Sequence, residues 1–289
     1  AEVRAELRTG RAGVTLLTGA PARGKSSLLA AVALRLQAEG WQVFPFVAGG
    51  GGSYTVTDLL RQIDAFLAPL VGQPLPAQNS TGKALSDAFE RLAAACAALP
   101  QRVLLAIDAL DQMADSDTLR EFGWLPPVLP ANLRILATCT DDYPLPRGLP
   151  YSIPDRRFAL PPLDAQTERH ALVEGLTAAA GKALPAEVTD ALVRLPVAAS
   201  PLYLSMFVQR LLMLNATDFG NIRTLGQDGN AISAYLLRLV HQAPADVAGM
   251  CAAILAEAAQ RIQPAQLEPT LGLLAVSRRG LRETDLAAL

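Results

Sequence analysis

Residues 19–26 of the 289-residue chain have the sequence GAPARGKS. Its two glycines, its lysine and its serine fit the spacing G-x-x-x-x-G-K-[ST]. A short β-rich run, residues 14–18, comes directly before it, and residues 25–38 follow with Leu28, Val32 and Leu36 at the four-residue spacing of one helix face. The order of strand, glycine-containing loop and helix predicts a loop that cradles phosphate groups.

The chemistry of such a loop assigns a role to each residue type. Glycines let backbone N–H groups curl around a β-phosphate, and the N-terminus of the following helix adds partial positive charge. Lys25 is expected to reach the β- and γ-phosphate oxygens, and Ser26 to bind Mg²⁺. The alternative is a turn without a ligand. The predicted nucleotide contacts in this segment are Gly19, Ala22, Arg23, Gly24, Lys25, Ser26 and Ser27.

Further strands alternate with helical patterns up to residue 160. Residues 103–107 are continuously apolar, as in a central parallel strand that is covered on both faces, and residues 133–137 repeat this pattern. Residues 43–47 form another strand, and Pro45 assigns it to an edge or a bulge. The alternation predicts a parallel sheet with right-handed crossovers, and ligand chemistry at the carboxyl ends of its strands.

Three polar residues are predicted to lie at that edge of the sheet. Asp108 closes the strand of residues 103–107, where a carboxylate would hold Mg²⁺ together with Ser26. Asp111 either orients or deprotonates the water that attacks a γ-phosphate, or caps a helix. Thr138 follows residues 133–137 and is a candidate sensor of the γ-phosphate. Asp108, Asp111 and Lys25 are therefore the candidate catalytic residues.

Strand patterns end near residue 160 and helical patterns replace them. We expect an α/β domain over residues 1–160 and an all-helical region after it. The chain starts without methionine and stops within a helical pattern, so we expect a piece of a longer protein. The helices predicted after residue 160 cover about 164–181, 185–194, 201–214, 231–242, 246–262 and 264–277.

Composition excludes several classes of function. The net charge is −2 and the 25 basic residues are scattered, so a nucleic-acid partner is not expected. There is no uncharged apolar run of about 18 residues, so no membrane span is expected. The three cysteines are far apart in apolar runs, which indicates reduced thiols and a cytoplasmic location.

Together these motifs resemble the STAND class of P-loop NTPases, in particular its NACHT-like branch of telomerase-associated-protein and nephrocystin type. Besides the loop of residues 19–26, the resemblance rests on the order of four segments along nearly the whole chain. They are DALDQ at 108–112, LP at 129–130 followed by LRIL at 133–136, SPLYL at 200–204 and VSRRGLRE at 276–283.

The resemblance implies a P-loop NTPase parallel sheet flanked by helices over residues 1–160, an all-helical domain over 161–245 and the beginning of a winged-helix domain, cut short, over 246–289. It implies that Pro201 and Leu202 pack near adenine, and that ATP or ADP binds with Mg²⁺. In such proteins ADP favours a closed state and ATP an open, self-associating one. Effector and sensor domains of a parent chain would be the partners, in defence or innate-immune-type signalling.

Three functions therefore stand side by side. The first is a switch that binds ATP and hydrolyses it slowly, changing conformation with the γ-phosphate. The second is a P-loop kinase that transfers the γ-phosphoryl group to a small acceptor. The third is a scaffold that binds nucleotide without turnover.

Overall fold

A computed structural model describes most of the chain in two compact units. The first unit contains residues 2–21 and most of 25–160, and the second contains residues 22–24 and most of 161–275. The residues described are 2–10, 12–48, 54–114, 124–142, 155–164, 167–214, 216–226, 229–276 and 284. The predicted boundary between 245 and 246, and the winged-helix assignment, stay predictions.

The first unit is built on a parallel sheet. Its strands are β1 (Val14–Thr18), β2 (Gln42–Val47), β3 (Val103–Asp108), β4 (Leu133–Cys139) and β5 (Asp155–Ala159). Their order is β2-β3-β4-β1-β5, and every pair is parallel. β3 and β4 are buried along their full length, which is why their sequences are continuously apolar apart from Arg134 and the polar ends. β2 is an edge strand, as Pro45 predicts.

Helices cover both faces of this sheet. They are α1 (Glu2–Thr9), α2 (Lys25–Ala38), α3 (Val56–Val71) and α4 (Lys83–Ala95). The apolar residues of α1 and α2 pack with Leu104 and Leu136 on one face, whereas α3 and α4 pack with Leu105 and Ile135 on the other. α3 begins at a capping box in which Thr55 and Asp58 satisfy each other's backbone N–H groups.

The described part of the second unit is helical. Its helices are α5 (Glu168–Ala179), α6 (Ala186–Arg194), α7 (Pro201–Leu212), α8 (Ala216–Leu225), α9 (Gly229–His241), α10 (Val247–Arg261) and α11 (Pro264–Val276). Six of them match the sequence prediction. The seventh, α8, was not predicted, because among its described side chains only Ile222 is buried and it therefore lacks a wide apolar stripe.

The cysteines and the lengths of the helices can be compared with the sequence predictions. Cys96, Cys139 and Cys251 are free cysteines, the first two buried and the third exposed. Across the described ranges, none of the helices has both the length and the apolar character needed to cross a membrane.

Candidate nucleotide-binding site

The loop between β1 and α2, which is predicted to bind phosphate, turns sharply before the helix begins. Gly24 has φ +83° and Ala22 has φ +64°, so the chain enters the left-handed region twice within three residues. Lys25 folds back over the loop, and its Nζ donates to the carbonyl oxygens of Gly19 at 2.6 Å and Ala20 at 3.0 Å. Ser26 and Ser27 are exposed in the first turn of α2.

Asp108 is the last residue of β3, and Thr138 on the neighbouring strand β4 holds its carboxylate. Thr138 Oγ1 donates to Asp108 Oδ1 at 2.5 Å and accepts from the backbone N–H of Ala109 at 2.8 Å. The hydroxyl proton of Thr138 is thereby directed at the carboxylate. In this arrangement Thr138 positions Asp108, and its predicted direct contact with a γ-phosphate stays a prediction.

Asp111 lies beyond β3 in a short 3₁₀ turn, Leu110–Gln112, where it is half-buried. The pKa of the Cys139 thiol is raised to about 11, mainly by burial and also by the negative charge of Asp111, while Lys25 acts in the opposite direction. Both charges therefore lie near the end of β4. The carboxylate of Asp111 and the ammonium of Lys25 are brought to the same edge of the sheet.

Ser26 and Asp108 line one cavity of about 560 Å³, which runs between α2 and the edge strand β2. A hydroxyl and a carboxylate are hard oxygen ligands of the kind that Mg²⁺ prefers. Asp108 accepts the bond from Thr138 through its Oδ1 atom, and a carboxylate has a second oxygen that can bind a cation. The two predicted metal ligands thus face a common space and fit the ion. Away from this end the cavity is apolar, with Leu34, Val43 and Val47 among its walls.

Residues 2–137 match the family model of the AAA ATPase domain. In the solved structures, the Walker-type ATPase of Pyrococcus abyssi is similar over 99% of this chain and 85% of its own, with 17% sequence identity and a TM-score of 0.51. The chain has the P-loop NTPase fold. Residues 19–26 lie between β1 and α2 of this fold, where the sequence predicts the P-loop. No curated protein matches the chain in sequence.

Two further solved structures are similar at lower scores. A signal transduction ATPase with numerous domains (STAND) from Pyrococcus horikoshii, which carries a tetratricopeptide repeat sensor, has a TM-score of 0.42 and 14% identity. The match covers 78% of this chain and 33% of that protein. A variant of Thermotoga maritima RuvB has a TM-score of 0.46 and 12% identity, over 82% of this chain and 66% of its own.

Three P-loop residues, Ala22, Arg23 and Gly24, belong to the second unit. Arg23 Nη1 donates to the carbonyl oxygen of Ala199 at 3.3 Å, and Ser200 Oγ donates to that of Ala22 at 3.4 Å. A Cβ atom on Gly24 would lie 3.7 Å from Pro201 Cγ. The predicted adenine residues Pro201 and Leu202 form the first turn of α7, where Leu202 is 45% exposed.

Sequence reasoning did not identify Ala109 as part of the site. This residue has φ +60° and ψ +53°, and its N–H binds Thr138, so it turns the chain from β3 toward Asp111. Alanine rarely adopts this conformation, and nothing in the local sequence indicates it. The positioning role of Thr138 was also not predicted, because it depends on the pairing of β3 with β4.

Proposed function

We propose that this chain is the ATP-binding and slowly hydrolysing switch of a STAND signalling protein. The observation that carries the proposal is that Ser26, in the first turn of α2, and Asp108, at the carboxyl end of β3, line one cavity, with Asp111 in the turn that follows β3. The match of residues 2–137 to an AAA ATPase domain supports nucleotide hydrolysis in general.

The proposed binding step uses groups that are already close to the phosphates' position. Lys25 would exchange the carbonyl oxygens of Gly19 and Ala20 for the β- and γ-phosphate oxygens, which are stronger partners because they are charged. Backbone N–H groups of the P-loop would surround the β-phosphate. Ser26 and Asp108 would hold Mg²⁺, which neutralises charge on the phosphates when bound.

Asp111 is the proposed base or orienting residue for the attacking water. It follows Asp108 by three residues, and the left-handed Ala109 between them gives the two carboxylates different positions at the edge of the sheet. Asp108 is held by Thr138 and serves the metal, while Asp111 in the 3₁₀ turn is half-buried and reachable from solvent. The two acids therefore divide the roles of metal ligand and base.

The proposal also includes a change of conformation with the bound nucleotide. The proposed cycle has a closed ADP state and an open ATP state that self-associates, with effector and sensor domains of the parent protein as partners.

The 560 Å³ cavity beside Ser26 and Asp108 favours a second candidate, a kinase that binds a small acceptor there. Along the described residues, the polar side chains of its lining are Ser26, Gln37 and Asp108, and the others are apolar. A sugar or other polyol acceptor would find few hydrogen-bond partners in such a cavity. We therefore place this function second.

The discriminating experiment is to denature the purified protein and identify the released nucleotide by chromatography, with Lys25→Ala prepared in parallel. The switch predicts stoichiometric ADP in the unmodified chain and none in the variant. An empty protein that consumes ATP only when a small acceptor is added would establish the kinase instead. Bound ATP that is never hydrolysed would identify a scaffold.

A further inference from the structure

The second unit contains its own cavity, separate in residues from the P-loop site. It has a volume of about 390 Å³ and lies among α7, α8, α9 and α10. This volume is within the range of pockets that bind small organic molecules. Leu239 on α9 and Ile254 and Ala258 on α10 are among its apolar walls. We call it the helical-unit cavity.

Part of this apolar lining is open to water. Met213 is 72% exposed and Ile262 is 42% exposed, and both line the cavity. A ligand that covers them removes apolar surface from water, which is favourable roughly in proportion to the area covered. Met206 and Met213 also have flexible, polarizable side chains that adapt to ligands of different shape. The cavity is therefore suited to a ligand with an apolar body.

The charged side chains described in and beside the helical-unit cavity have partners within the protein. Arg210 on α7 forms an ion pair with Glu257 on α10, and both side chains are partly buried. Asp218 accepts a hydrogen bond from Tyr235 OH at 2.5 Å, and the Arg238 guanidinium lies 5.1 Å from the centre of the same ring. Two carboxylates thus accompany two guanidinium groups. Because neither sign is in excess among these side chains, they favour neither an anion nor a cation.

We propose that the helical-unit cavity binds a neutral small molecule with an aromatic or aliphatic body. The body would pack against the two methionines and against Leu239 and Ile254. A single uncharged polar group on the ligand, such as a hydroxyl, would have the side-chain amide of Gln209 in the lining as a neighbour. An amide both donates and accepts hydrogen bonds, so it suits a hydroxyl or a carbonyl group equally.

The paired charges disfavour ionic ligands of either sign. A carboxylate or an ammonium group loses its hydration on entering the cavity, and this costs much more than the loss of water by a hydroxyl. To recover that free energy, the ion would have to break the pair of Arg210 with Glu257 and leave one of these charges partly buried without its partner. A neutral alcohol should therefore bind more tightly than the amine or the carboxylate of the same shape.

The chain offers internal probes for this test. It has four methionines, of which Met206 and Met213 line the cavity, while Met250 is buried in the core of the second unit and Met113 in that of the first. With ¹³C-methyl-labelled methionine, each methyl group reports separately by NMR. The probe ligands are 4-phenylbutan-1-ol, 4-phenylbutylamine and 4-phenylbutyrate, which at neutral pH are uncharged, cationic and anionic.

We expect the alcohol to shift the Met206 and Met213 resonances with a Kd on the order of 1 mM and to leave the Met113 resonance in place. The amine and the carboxylate should each bind roughly tenfold more weakly. If either ion binds as tightly as the alcohol, the preference for a neutral ligand is wrong. Unchanged Met206 and Met213 resonances with all three probes, up to solubility, would refute the site.

Matched variants on α10 separate binding in the cavity from binding at the surface. Ala258 lines the cavity and its neighbour Ala259 is exposed, so Ala258→Phe should abolish the shifts and Ala259→Phe should preserve them. The resonance of the buried Met250 shows whether each variant is folded. Binding of the alcohol that survives in folded Ala258→Phe would overturn the proposal.

Two further substitutions test the role of the ion pair. Glu257→Gln leaves Arg210 without its carboxylate and should tighten the binding of 4-phenylbutyrate, whereas Arg210→Gln leaves Glu257 unpaired and should tighten that of 4-phenylbutylamine. The alcohol should bind both variants about as well as the unmodified protein. If the order of the three affinities is the same in both variants as in the unmodified protein, charge pairing does not determine the preference and that part of the proposal fails.

Discussion

Thr138 Oγ1 donates a hydrogen bond of 2.5 Å to Asp108 Oδ1, between two buried side chains on adjacent parallel strands. The same oxygen accepts from the N–H of Ala109. One hydroxyl therefore determines both the orientation of the proposed metal ligand and the start of the turn that carries Asp111. Removal of this hydroxyl should weaken the binding of Mg²⁺ more than it weakens the binding of the nucleotide phosphates.

For Thr138 we expect Thr138→Val to raise the Mg²⁺ concentration needed for half-maximal ATP turnover by about tenfold, because groups that orient a metal ligand have effects of this size. Thr138→Ser keeps the hydroxyl and should stay near the unmodified protein. The measurement is a Mg²⁺ titration of turnover at saturating ATP. An unchanged titration in Thr138→Val would show that Asp108 needs no such support.

For the P-loop we expect Lys25→Ala to abolish ATP binding, since it removes the proposed cation at the β- and γ-phosphates. Lys83→Ala is the matched control, because Lys83 is exposed and pairs only with Asp87 among the contacts described for it. Titration calorimetry with MgATP measures both. Retained ATP affinity in Lys25→Ala would contradict the phosphate assignment of the whole loop.

For the proposed base we expect Asp111→Asn to keep ATP affinity within about twofold and to lower the single-turnover rate by about 10²-fold or more. Asp141→Asn removes an exposed acid that follows the neighbouring strand and should change neither quantity. If Asp111→Asn hydrolyses ATP at the unmodified rate, Asp111 acts only as a structural residue of its turn.

Backbone strain at Ala109 can be measured as stability. Since its φ is +60°, Ala109→Gly should raise the free energy of unfolding by up to about 1 kcal/mol. The same change at Ala106, inside β3, should lower it, because the backbone there is extended and the methyl group is buried. Urea unfolding of both variants measures whether each substitution raises or lowers the free energy of unfolding. Destabilisation in both would mean that Ala109 is not strained.

Asp64 on α3 predicts a pH dependence of stability. It is fully buried, and neither carboxylate oxygen has a hydrogen-bond partner in the described part of the chain. Burial raises its pKa from 3.8 to about 7, although Arg91 partly counteracts the effect. Because the folded pKa is above the unfolded one, the free energy of unfolding should fall as pH rises between these values, by roughly 4 kcal/mol in total.

Asp64→Asn should remove most of this slope, and Asp87→Asn, at an exposed position of α4, should retain it. Urea unfolding at about pH 5 and pH 8 measures the difference, a range that includes the upper part of the transition. Parallel pH profiles in the unmodified protein and Asp64→Asn would show that Asp64 is solvated in the folded state.

The amino-acid sequence by itself determined the local features of this protein. The spacing of residues 19–26, the apolar run before Asp108 and the proline in β2 each depend on neighbours in the chain, and each predicted its element correctly. Short-range sterics and alternation of apolar residues suffice for such features. The parallel sheet was also predicted from the sequence, because strand and helix patterns alternate along the first 160 residues.

Only the tertiary structure decided what the side chains do. Thr138 and Asp108 are thirty residues apart, and they meet because β4 lies between β3 and β1 in a definite register. The left-handed Ala109 and the buried Asp64 likewise depend on packing around them, which no window of sequence contains. These hydrogen bonds and this burial depend on contacts between different strands and helices. The sequence alone therefore did not predict the chemistry of the site, because it depends on residues that only the folded sheet brings together.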